Sequence, residues 1–344
     1  MKVSEARAPV SIAAQADEGQ TAAPERAPAD VTVIIVSYNT ADLLQKSIDL
    51  LRASAGGLAL QVSIVDNASR DDSVAIVREL YPEFDFIANT CNVGFGRANN
   101  QMLATARGRY VLLLNTDAFV APQTLEKTVA FMDEHPDCGV LGVRLEGRDQ
   151  VLQPSCRYFP TPWNIFLNRT GLQRVFGSVQ MVDDMKWDHR SVRECDWVPG
   201  CYYLVRREVI DKVGLFDPRF FLYYEEVDHC RMVKAAGWKV VYFPHTTVVH
   251  IGGESAKSDA TLTASGGQIA ELQVESELLY FRKHHGTTGV ALHLVLKLVA
   301  DLAQLARGVL RGRSGLKNGP TMRNDWKVWL RLLRRTRGGL VPTR

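Results

Sequence analysis

The chain has 344 residues, of which 46% are hydrophobic, 8% aromatic and 23% charged, and its formal net charge is +3. These values are typical of a globular protein with a full core, and one large domain with appendages fits them best. The 6 cysteines form no CxxC pair and have no histidine at zinc-ligand spacing. The composition therefore indicates neither a disulfide framework nor a structural zinc site, and a reducing cytoplasm is the simplest setting.

Residues 1–30 are rich in Ala, Pro, Glu and Gln, and they lack the apolar segment that a secretory signal requires. We interpret them as a disordered leader and expect the protein not to be exported.

Short apolar runs alternate with helical patterns from Val31 onward. The first run, VTVIIV, is continuous, which is typical of a strand buried on both faces of a parallel sheet. Further strands are predicted at residues 62–65, 84–88, 110–114 and 138–143, and helices at residues 41–53, 71–80, 94–107 and after Pro122. This order predicts an α/β fold with a doubly wound half.

The second part of the chain is less regular. Residues 144–195 show no clear periodicity, and a long irregular segment inside a globular domain is often functional. An ordered pattern returns between Trp197 and His250, with the apolar run CYYLVRR, a helix predicted near residues 225–236 and a closing strand predicted at KVVYF.

Three of the predicted strands end in polar clusters. The first strand runs into Ser37, Tyr38 and Asn39, the second into Asp66 and Asn67, and the fourth into Asn115, Thr116 and Asp117. Any one cluster is explained equally well as a turn or a helix cap. Ligands of open α/β sheets bind beyond the carboxyl ends of the strands, so three such clusters together predict a binding site at that edge.

Seven segments together resemble family 2 glycosyltransferases, and within them the bacterial rhamnosyltransferase-like branch. They are VIIVSYN, VDNASRDDS, NVGFGRANN, LLLNTDAF, WVPGCYYLVRREV, GLFDPRFFLYYEEVDHC and VVHIGGES, and they follow the family's order over residues 31–256. The resemblance implies a GT-A (Rossmann-like) fold, with a mixed sheet flanked by helices. It also implies a nucleotide-diphosphate sugar donor, a divalent metal and inversion at the anomeric carbon.

Asp117 is the first candidate metal ligand. A carboxylate at a strand end suits Mg²⁺ or Mn²⁺, and a cation on the phosphate oxygens stabilises the departing nucleotide diphosphate. Asp117 occupies the last position of the family's DxD motif, whose first position is Asn115 here, so Asn115 is expected to contact sugar or water. The family pattern implies His250 as the second ligand, which favours Mn²⁺, and a structural histidine at a strand end is the alternative.

The resemblance also assigns residues to the donor. Asp66 corresponds to the acid that faces the nucleobase, where a carboxylate accepts the N3–H of uracil or thymine, and helix capping is its alternative. Arg97 belongs to a segment that approaches the donor in the family, although a solvated surface role fits it equally. Trp197, Gly200 and Cys201 resemble the loop beneath the sugar, and core packing is the strong alternative for Trp197.

A carboxylate base is required because the acceptor hydroxyl loses its proton as it attacks the sugar. The segment YYEEVDHC offers Glu225, Glu226 and Asp228 at the start of a predicted helix, where the macrodipole favours an ionised carboxylate. In the related pattern the second acid of a Glu-Asp pair is the base, and that position is Glu226 here. Glu225 and Asp228 share a helix face and are expected to orient the site or bind acceptor.

The C-terminal part is basic, since residues 306–344 contain eleven Lys or Arg and one acid, Asp325. Within residues 289–310 a narrow polar stripe runs along a mostly apolar helix, and its members are His293, Lys297, Asp301 and Gln304.

The segment NDWKVWLRLLRRTR then interleaves aromatic and basic residues. We predict C-terminal amphipathic helices that associate with the cytoplasmic membrane surface, and a solvated arm or a homo-oligomer contact is the alternative. Nucleic-acid binding is disfavoured because no recognised module accompanies the basic residues.

The predicted organisation is a leader at residues 1–30, a glycosyltransferase domain at residues 31–285 and a helical tail at residues 286–344. The predicted reaction moves a sugar, with rhamnose from dTDP-rhamnose as the best choice, to a polyprenyl-diphosphate-linked or nascent cell-envelope glycan. A nucleotidyltransferase is the first alternative, although it would normally carry a basic, Gly-rich phosphate loop near its start. A non-catalytic carbohydrate-binding protein is the second, because Asn115 and Glu226 depart from the family's usual acids.

Overall fold

The computed structural model describes residues 28–252, 267–310 and 318–344, so residues 1–27 of the predicted leader lie outside the described residues. The strands are β1 (Ala29–Ser37), β2 (Leu60–Asp66), β3 (Asp85–Ala88), β4 (Gly108–Asn115), β5 (Ala118–Val120), β6 (Cys138–Glu146), β7 (Leu152–Gln153), β8 (Arg193–Cys195), β9 (Tyr202–Arg206) and β10 (Lys239–His250). The helices are α1 (Ala41–Ser54), α2 (Ser73–Leu80), α3 (Phe95–Gln101), α4 (Thr124–Glu134), α5 (Pro162–Thr170), α6 (Arg207–Val213), α7 (Glu225–Ala235), α8 (Gly267–Leu310) and α9 (Asn318–Arg335).

One mixed sheet forms the centre of the described structure, in the order β3-β2-β1-β4-β9-β6-β10-β5, with β7 beside β6 and β8 beside β10. Its first half is parallel, because β1 pairs with β2 and β4, and β2 pairs with β3. Val33 and Ile35 face one hydrophobic cluster and Ile34 faces another, and all three are fully buried. Successive positions from Val33 to Ile35 therefore each need an apolar residue, which explains the apolar run in the sequence.

The second half of the sheet mixes strand directions. β9 lies between β4 and β6 and runs antiparallel to both. β10 runs parallel to β6, and its last residues pair antiparallel with β5. The predicted closing strand at residues 239–243 was too short, because pairing on both sides extends β10 to His250.

Two predicted helices differ from the structure at their ends. The helix predicted over residues 94–107 ends at Gln101, where the amide of Asn100 donates to the backbone oxygen of Phe216 instead of facing solvent. The helix predicted from Pro122 begins at Thr124, because Gln123 has a left-handed backbone with φ of 60°. Both ends are set by conformations that apolar periodicity does not report.

The segment at residues 144–195 contains more regular structure than its sequence indicated. It holds β7, α5, a short 3₁₀ turn and β8. α5 begins with a capping box, in which Thr161 and Asn164 exchange hydrogen bonds around Pro162. Thr161, Pro162 and Asn164 form a helix start signal that is present in the sequence, but apolar periodicity does not detect it.

The C-terminal helices pack on the domain. α8 is interrupted at Gly286, whose φ of 66° and ψ of −166° are not helical. Phe281 of α8 and Trp329 and Leu332 of α9 join the same hydrophobic cluster as Val227 of α7. The tail therefore shares a core with the helix that carries the predicted base.

Three members of the polar stripe of α8 face inward, and the fourth, Gln304, is exposed. His293, Lys297 and Asp301 are each 3–4% exposed, whereas Leu292 and Val295 on the opposite side are 52% and 57% exposed. The expected amphipathic helix is present, but its charged side packs on the domain and its apolar side is exposed. α9 shows the usual arrangement, because Trp329 is buried while Lys327 and Arg331 are exposed.

We predict that Gly142→Ala destabilises the fold, because a Cβ at Gly142 would lie 2.5 Å from the Cβ of buried Val198. Val198 precedes the loop that carries Gly200, so the free energy of unfolding should fall by about 1–3 kcal/mol through overpacking. Urea denaturation measures the change. Gly57→Ala is the matched control, since no atom lies within 4 Å of its Cβ position. Equal stability of the two variants would contradict the prediction.

Candidate active site

The three polar clusters meet at one edge of the sheet. Ser37 is paired in register with Asp66, and Val36 is paired with Asn115, because β1, β2 and β4 are parallel neighbours. The loops after β1 and β2 hold each other, since the amide of Asn39 donates to Ser69 Oγ over 2.9 Å. Asn39 has a positive φ of 52°, and Tyr38 lies beside it in the same loop. The sheet thus assembles the site edge that the sequence predicted.

Asp66 presents one carboxylate oxygen without a partner. Its Oδ1 accepts the amide of Ser69 over 2.9 Å, while its Oδ2 is buried and has no hydrogen bond to any described residue. A buried acceptor left unpaired is costly unless a ligand completes it. The geometry therefore suits an incoming N–H donor at Asp66.

The side chain of Asn67 forms hydrogen bonds with the loop between β3 and α3. Its Nδ2 donates to Asn92 Oδ1 over 2.8 Å, and its Oδ1 accepts the amide of Val93 over 2.9 Å. Both ends of the side-chain amide are engaged, so Asn67 shapes the loop between β3 and α3. The structure shows a positioning role here, where the sequence had suggested a donor contact.

Arg97 reaches toward the loop before α7. Its Nε donates to the backbone oxygen of Pro218 over 2.7 Å, and its Nη2 donates to that of Arg344 over 3.0 Å. Asn100 bonds Phe216 in the same loop. α3 therefore links the donor-side loops to the loop that leads into the candidate base.

Asp117 and His250 lie side by side although 133 positions separate them in the sequence. Ala118 of β5 is paired with His250 of β10, and His250 Nε2 lies 3.6 Å from Asp117 Oδ1. The amide of Gly252 donates to Asp117 Oδ2 over 3.1 Å. Within residues 28–252, 267–310 and 318–344 no group of three or more His, Cys, Asp or Glu side chains could hold a metal ion. The pair can supply two ligands, and other ligands would come from a substrate or water.

Gln153 holds the imidazole of His250 in place, and the sequence alone did not predict this residue. Its Nε2 donates to the backbone oxygen of His250 over 2.9 Å, and its Oε1 lies 3.0 Å from His250 Nδ1. Because an amide oxygen only accepts, Nδ1 must carry the proton. Burial lowers the pKa of His250 while the charge of Asp117 opposes the shift, so the ring is neutral and its Nε2 lone pair faces Asp117.

Glu225 and Glu226 open α7 after a strained turn. Tyr223 and Tyr224 both have positive φ, at 71° and 68°, and such residues cluster at functional sites. Oε2 of each glutamate is buried without a hydrogen bond to a described residue. Burial raises the pKa of both carboxyls, and the charge of Glu226 raises that of Glu225 further.

The carboxylate of Asp228 is paired with two side chains of α8. Lys283 Nζ and His284 Nε2 of α8 each lie 2.7 Å from its carboxylate, which is 2% exposed. Both oxygens of this carboxylate are therefore engaged in a buried ionic cluster. The arrangement fits an orienting role, because it attaches α8 to the helix that begins with the two glutamates.

Cys201 links the segment before β9 to the end of β4. It lies at the start of β9, and its backbone oxygen accepts the amide of Asn115 over 3.0 Å. Burial raises the pKa of the Cys201 thiol, and the negative charges of Asp117 and Glu226 raise it further. The negative charges of the candidate metal ligand and of the candidate base therefore both act on the Cys201 thiol.

Trp197 and Gly200 belong to the segment that leads into Cys201. Trp197 is 5% exposed, its Nε1 donates to the backbone oxygen of Tyr158, and Arg157 lies 4.1 Å from its ring centroid. These contacts match the core-packing alternative for Trp197. A Cβ at Gly200 would lie 3.5 Å from the ring of Phe95, so the loop passes close to α3.

A sheet edge with polar strand ends, a carboxylate–histidine pair and a buried acid at a helix start is the arrangement that the resemblance to glycosyltransferases predicts. Residues 32–187, somewhat less than half of the chain, match the model of glycosyl transferase family 2. The structure of a mannosyltransferase from Pyrobaculum calidifontis in complex with GDP-Man and Mn²⁺ is similar, with a TM-score of 0.52 and 18% identity over 92% of this chain and 90% of that chain. The predicted GT-A fold is confirmed.

Two curated relatives are rhamnosyltransferases. An N-acetylglucosaminyl-diphospho-decaprenol L-rhamnosyltransferase of Mycobacterium tuberculosis is 27% identical over 244 residues, which are 66% of this chain and 78% of that one. Rhamnosyltransferase WbbL of Escherichia coli is 23% identical over 244 residues, covering 66% and 86%. The predicted class of enzyme, a glycosyltransferase, is confirmed, and it displaces the nucleotidyltransferase and non-catalytic alternatives.

We predict that Gln153→Leu lowers the affinity for Mn²⁺ in the presence of nucleotide diphosphate by about 10- to 100-fold, because His250 loses the acceptor that fixes its tautomer. Electron paramagnetic resonance of free Mn²⁺ measures the affinity directly. Gln153→Glu keeps an acceptor for Nδ1 and should retain more of the affinity than Gln153→Leu. Val151→Ala, at a 60% exposed position of the same turn, is the control. Unchanged affinity in Gln153→Leu would remove the assigned role.

Proposed function

We propose that this enzyme transfers rhamnose from dTDP-rhamnose, with inversion, to a polyprenyl-diphosphate-linked glycan at the inner face of the cytoplasmic membrane. The observation that carries the proposal is the pair of Asp117 and His250 at the sheet edge, whose facing atoms lie 3.6 Å apart. This pair would hold the donor diphosphate through a cation, and the unpaired Oε2 of Glu226 would receive the proton of the acceptor hydroxyl. Transfer by a single displacement requires both a stabilised leaving group and a base for the attacking hydroxyl.

The donor would bind along the edge formed by β1, β2 and β4. The unpaired Oδ2 of Asp66 suits the N3–H of uracil or thymine. The loops after β1 and β2, joined by the hydrogen bond between Asn39 and Ser69, lie at the same end of the sheet edge. Asp66 cannot separate the two bases, so the choice of dTDP rests on the two rhamnosyltransferase relatives. Asn115, beside Cys201, is placed to contact the sugar.

Asp117 and His250 are the residues that would hold the divalent cation. A carboxylate and a neutral imidazole nitrogen fit Mn²⁺ better than Mg²⁺, and two protein ligands leave positions for phosphate oxygens. The solved relative with GDP-Man and Mn²⁺ shares the fold at 18% identity. When bound, the cation neutralises the charge that develops on the departing diphosphate.

Glu226 would take the proton from the acceptor hydroxyl. Its partly buried carboxylate has an unpaired oxygen, and its raised pKa makes it a stronger base than an exposed glutamate. The helix start keeps the ionised form accessible at neutral pH. As the hydroxyl oxygen bonds to the anomeric carbon, the bond from that carbon to the diphosphate breaks and Glu226 holds the proton.

The acceptor and the membrane are inferred together. One relative is named for an acceptor that carries a decaprenyl diphosphate, whose lipid stays in a bilayer. Among the described residues, Glu271–Leu310 is long and apolar enough to span a membrane by length and composition. The exposed basic residues of α9 and the apolar side of α8 are consistent with peripheral attachment.

We predict that Glu226→Gln lowers the rate of transfer by about 10²- to 10⁴-fold without loss of stability, because only the base is removed. The rate of the unmodified enzyme should fall at acidic pH, and the raised pKa places that fall above the ordinary glutamate value of 4.5. Product formation across a pH series measures both effects. Asp228→Asn is the matched comparison: it should lower the melting temperature because Lys283 loses its buried partner. Full activity of Glu226→Gln would assign the base elsewhere.

A panel of nucleotide sugars with Mn²⁺ or Mg²⁺, read by nucleotide release and then by acceptor product, tests the proposed donor. We expect dTDP-rhamnose to be used best, and we expect EDTA to abolish the reaction. Asp117→Ala and His250→Ala should each weaken the metal-dependent rate while melting like the unmodified protein. Glu79→Gln, an exposed change on α2, should have no effect. Undiminished activity in EDTA would contradict the metal assignment, and preference for another donor would contradict rhamnose.

A further inference from the structure

Between Leu292 and Leu302 the exposed residues of α8 are all apolar. These residues recur every three or four positions and therefore form a single stripe, called here the outer face. The outer face consists of Leu292, Val295, Leu298, Val299 and Leu302, which are 45–57% exposed. A helix on the surface of a water-soluble domain normally shows the opposite arrangement, with charges outward.

Buried ionic contacts hold α8 in this orientation. Lys297 Nζ lies 2.9 Å from Asp301 and 2.5 Å from Asp325 of α9. Asp301 also accepts hydrogen bonds from Arg169 of α5 over 2.6 Å and from the indole of Trp326 over 2.9 Å. Buried charges of this kind are maintained only when paired, so rotating α8 to hide its outer face would break the whole cluster.

Exposed aromatic residues also lie on and just after α5, which packs beside α8. Trp163 and Phe176 are each 43% exposed, and their rings meet edge to face at 6.1 Å. Val175, which follows α5 and precedes Phe176 in the chain, is 74% exposed. Tryptophan with exposed aliphatic neighbours is typical of a surface that meets the lipid–water boundary.

α9, which packs against α8, carries exposed positive charge. Four basic side chains line one shallow concavity around Leu330, and they are Lys327, Arg331, Arg334 and Arg335. α9 is held against α8 through the buried ring of Trp329, which lies 5.3 Å from the ring of His293. The cationic concavity and the outer face therefore belong to one packed helix pair.

We propose that the outer face of α8 inserts into the acyl-chain boundary of an anionic bilayer while the concavity of α9 binds the lipid phosphates. Anionic lipid neutralises these cations, whereas a symmetric dimer through the same region would repeat them on both partners. The inference deepens the proposed function, since it rests on the membrane setting and names the surface that meets it. It does not depend on which sugar is transferred.

Flotation of the full chain with vesicles tests this surface. We expect binding to phosphatidylcholine vesicles that contain phosphatidylglycerol, and Val295→Glu combined with Leu298→Glu should lower the bound fraction about tenfold or more. Leu80→Glu combined with Val151→Glu, at positions 46% and 60% exposed, is the matched control and should bind normally. Arg334→Glu combined with Arg335→Glu should reduce binding to anionic vesicles and remove its salt dependence.

Nucleotide release without vesicles, measured on the same variants, separates this inference from the proposed function. Normal release with unchanged vesicle binding in the α8 variant would overturn the outer face as the lipid contact and leave the sugar transfer intact. Loss of a dimer in the α8 variant, seen by light scattering without lipid, together with unchanged vesicle binding would identify a second copy as the occupant and overturn the proposal. Absent release in the unmodified protein, with vesicle binding intact, would contradict the function alone.

Discussion

The antiparallel pairing of β5 with the end of β10 is the contact on which the site depends. It brings the end of β4 beside a residue that the chain reaches only after another 133 positions, so that Asp117 and His250 lie 3.6 Å apart. In an all-parallel sheet, only the carboxyl ends of neighbouring strands would meet at this edge. The imidazole of His250 would then not lie beside Asp117. With the ring neutral, the pair carries a net negative charge in a buried place, which is the electrostatic condition for holding a cation against phosphate.

The parallel half of the fold and the location of the site could be predicted because both are local in the sequence. Unbroken apolar runs identify strands buried on two faces, and polar residues after them mark the sheet edge that binds ligands. The pairing that places His250 was available only through resemblance. Gln153 could not be found, because it lies in a two-residue strand without periodicity and acts through a partner 97 positions away.

The orientation of α8 shows a different limit of sequence reasoning. Periodicity reveals that a helix has two unlike sides, but the choice of the inner side depends on partners in other elements. Here Arg169 and Asp325 supply those partners and turn Lys297 and Asp301 inward. The interleaved aromatic residues of α9 do not all face outward, because the buried ring of Trp329 attaches α9 to the domain.

Gly94 carries a consequence for how the enzyme selects its substrates. Its φ is 90°, and a Cβ there would lie 2.5 Å from the backbone oxygen of Phe221, which accepts the amide of Phe95 over 2.9 Å. The loop that serves the donor and the loop that leads to Glu226 are therefore joined main chain to main chain. Because neither loop has clearance to slide on the other, we expect the distance between the donor-side loop and the candidate base to stay fixed. An acceptor hydroxyl would then have to enter at that one distance from the donor in order to be deprotonated.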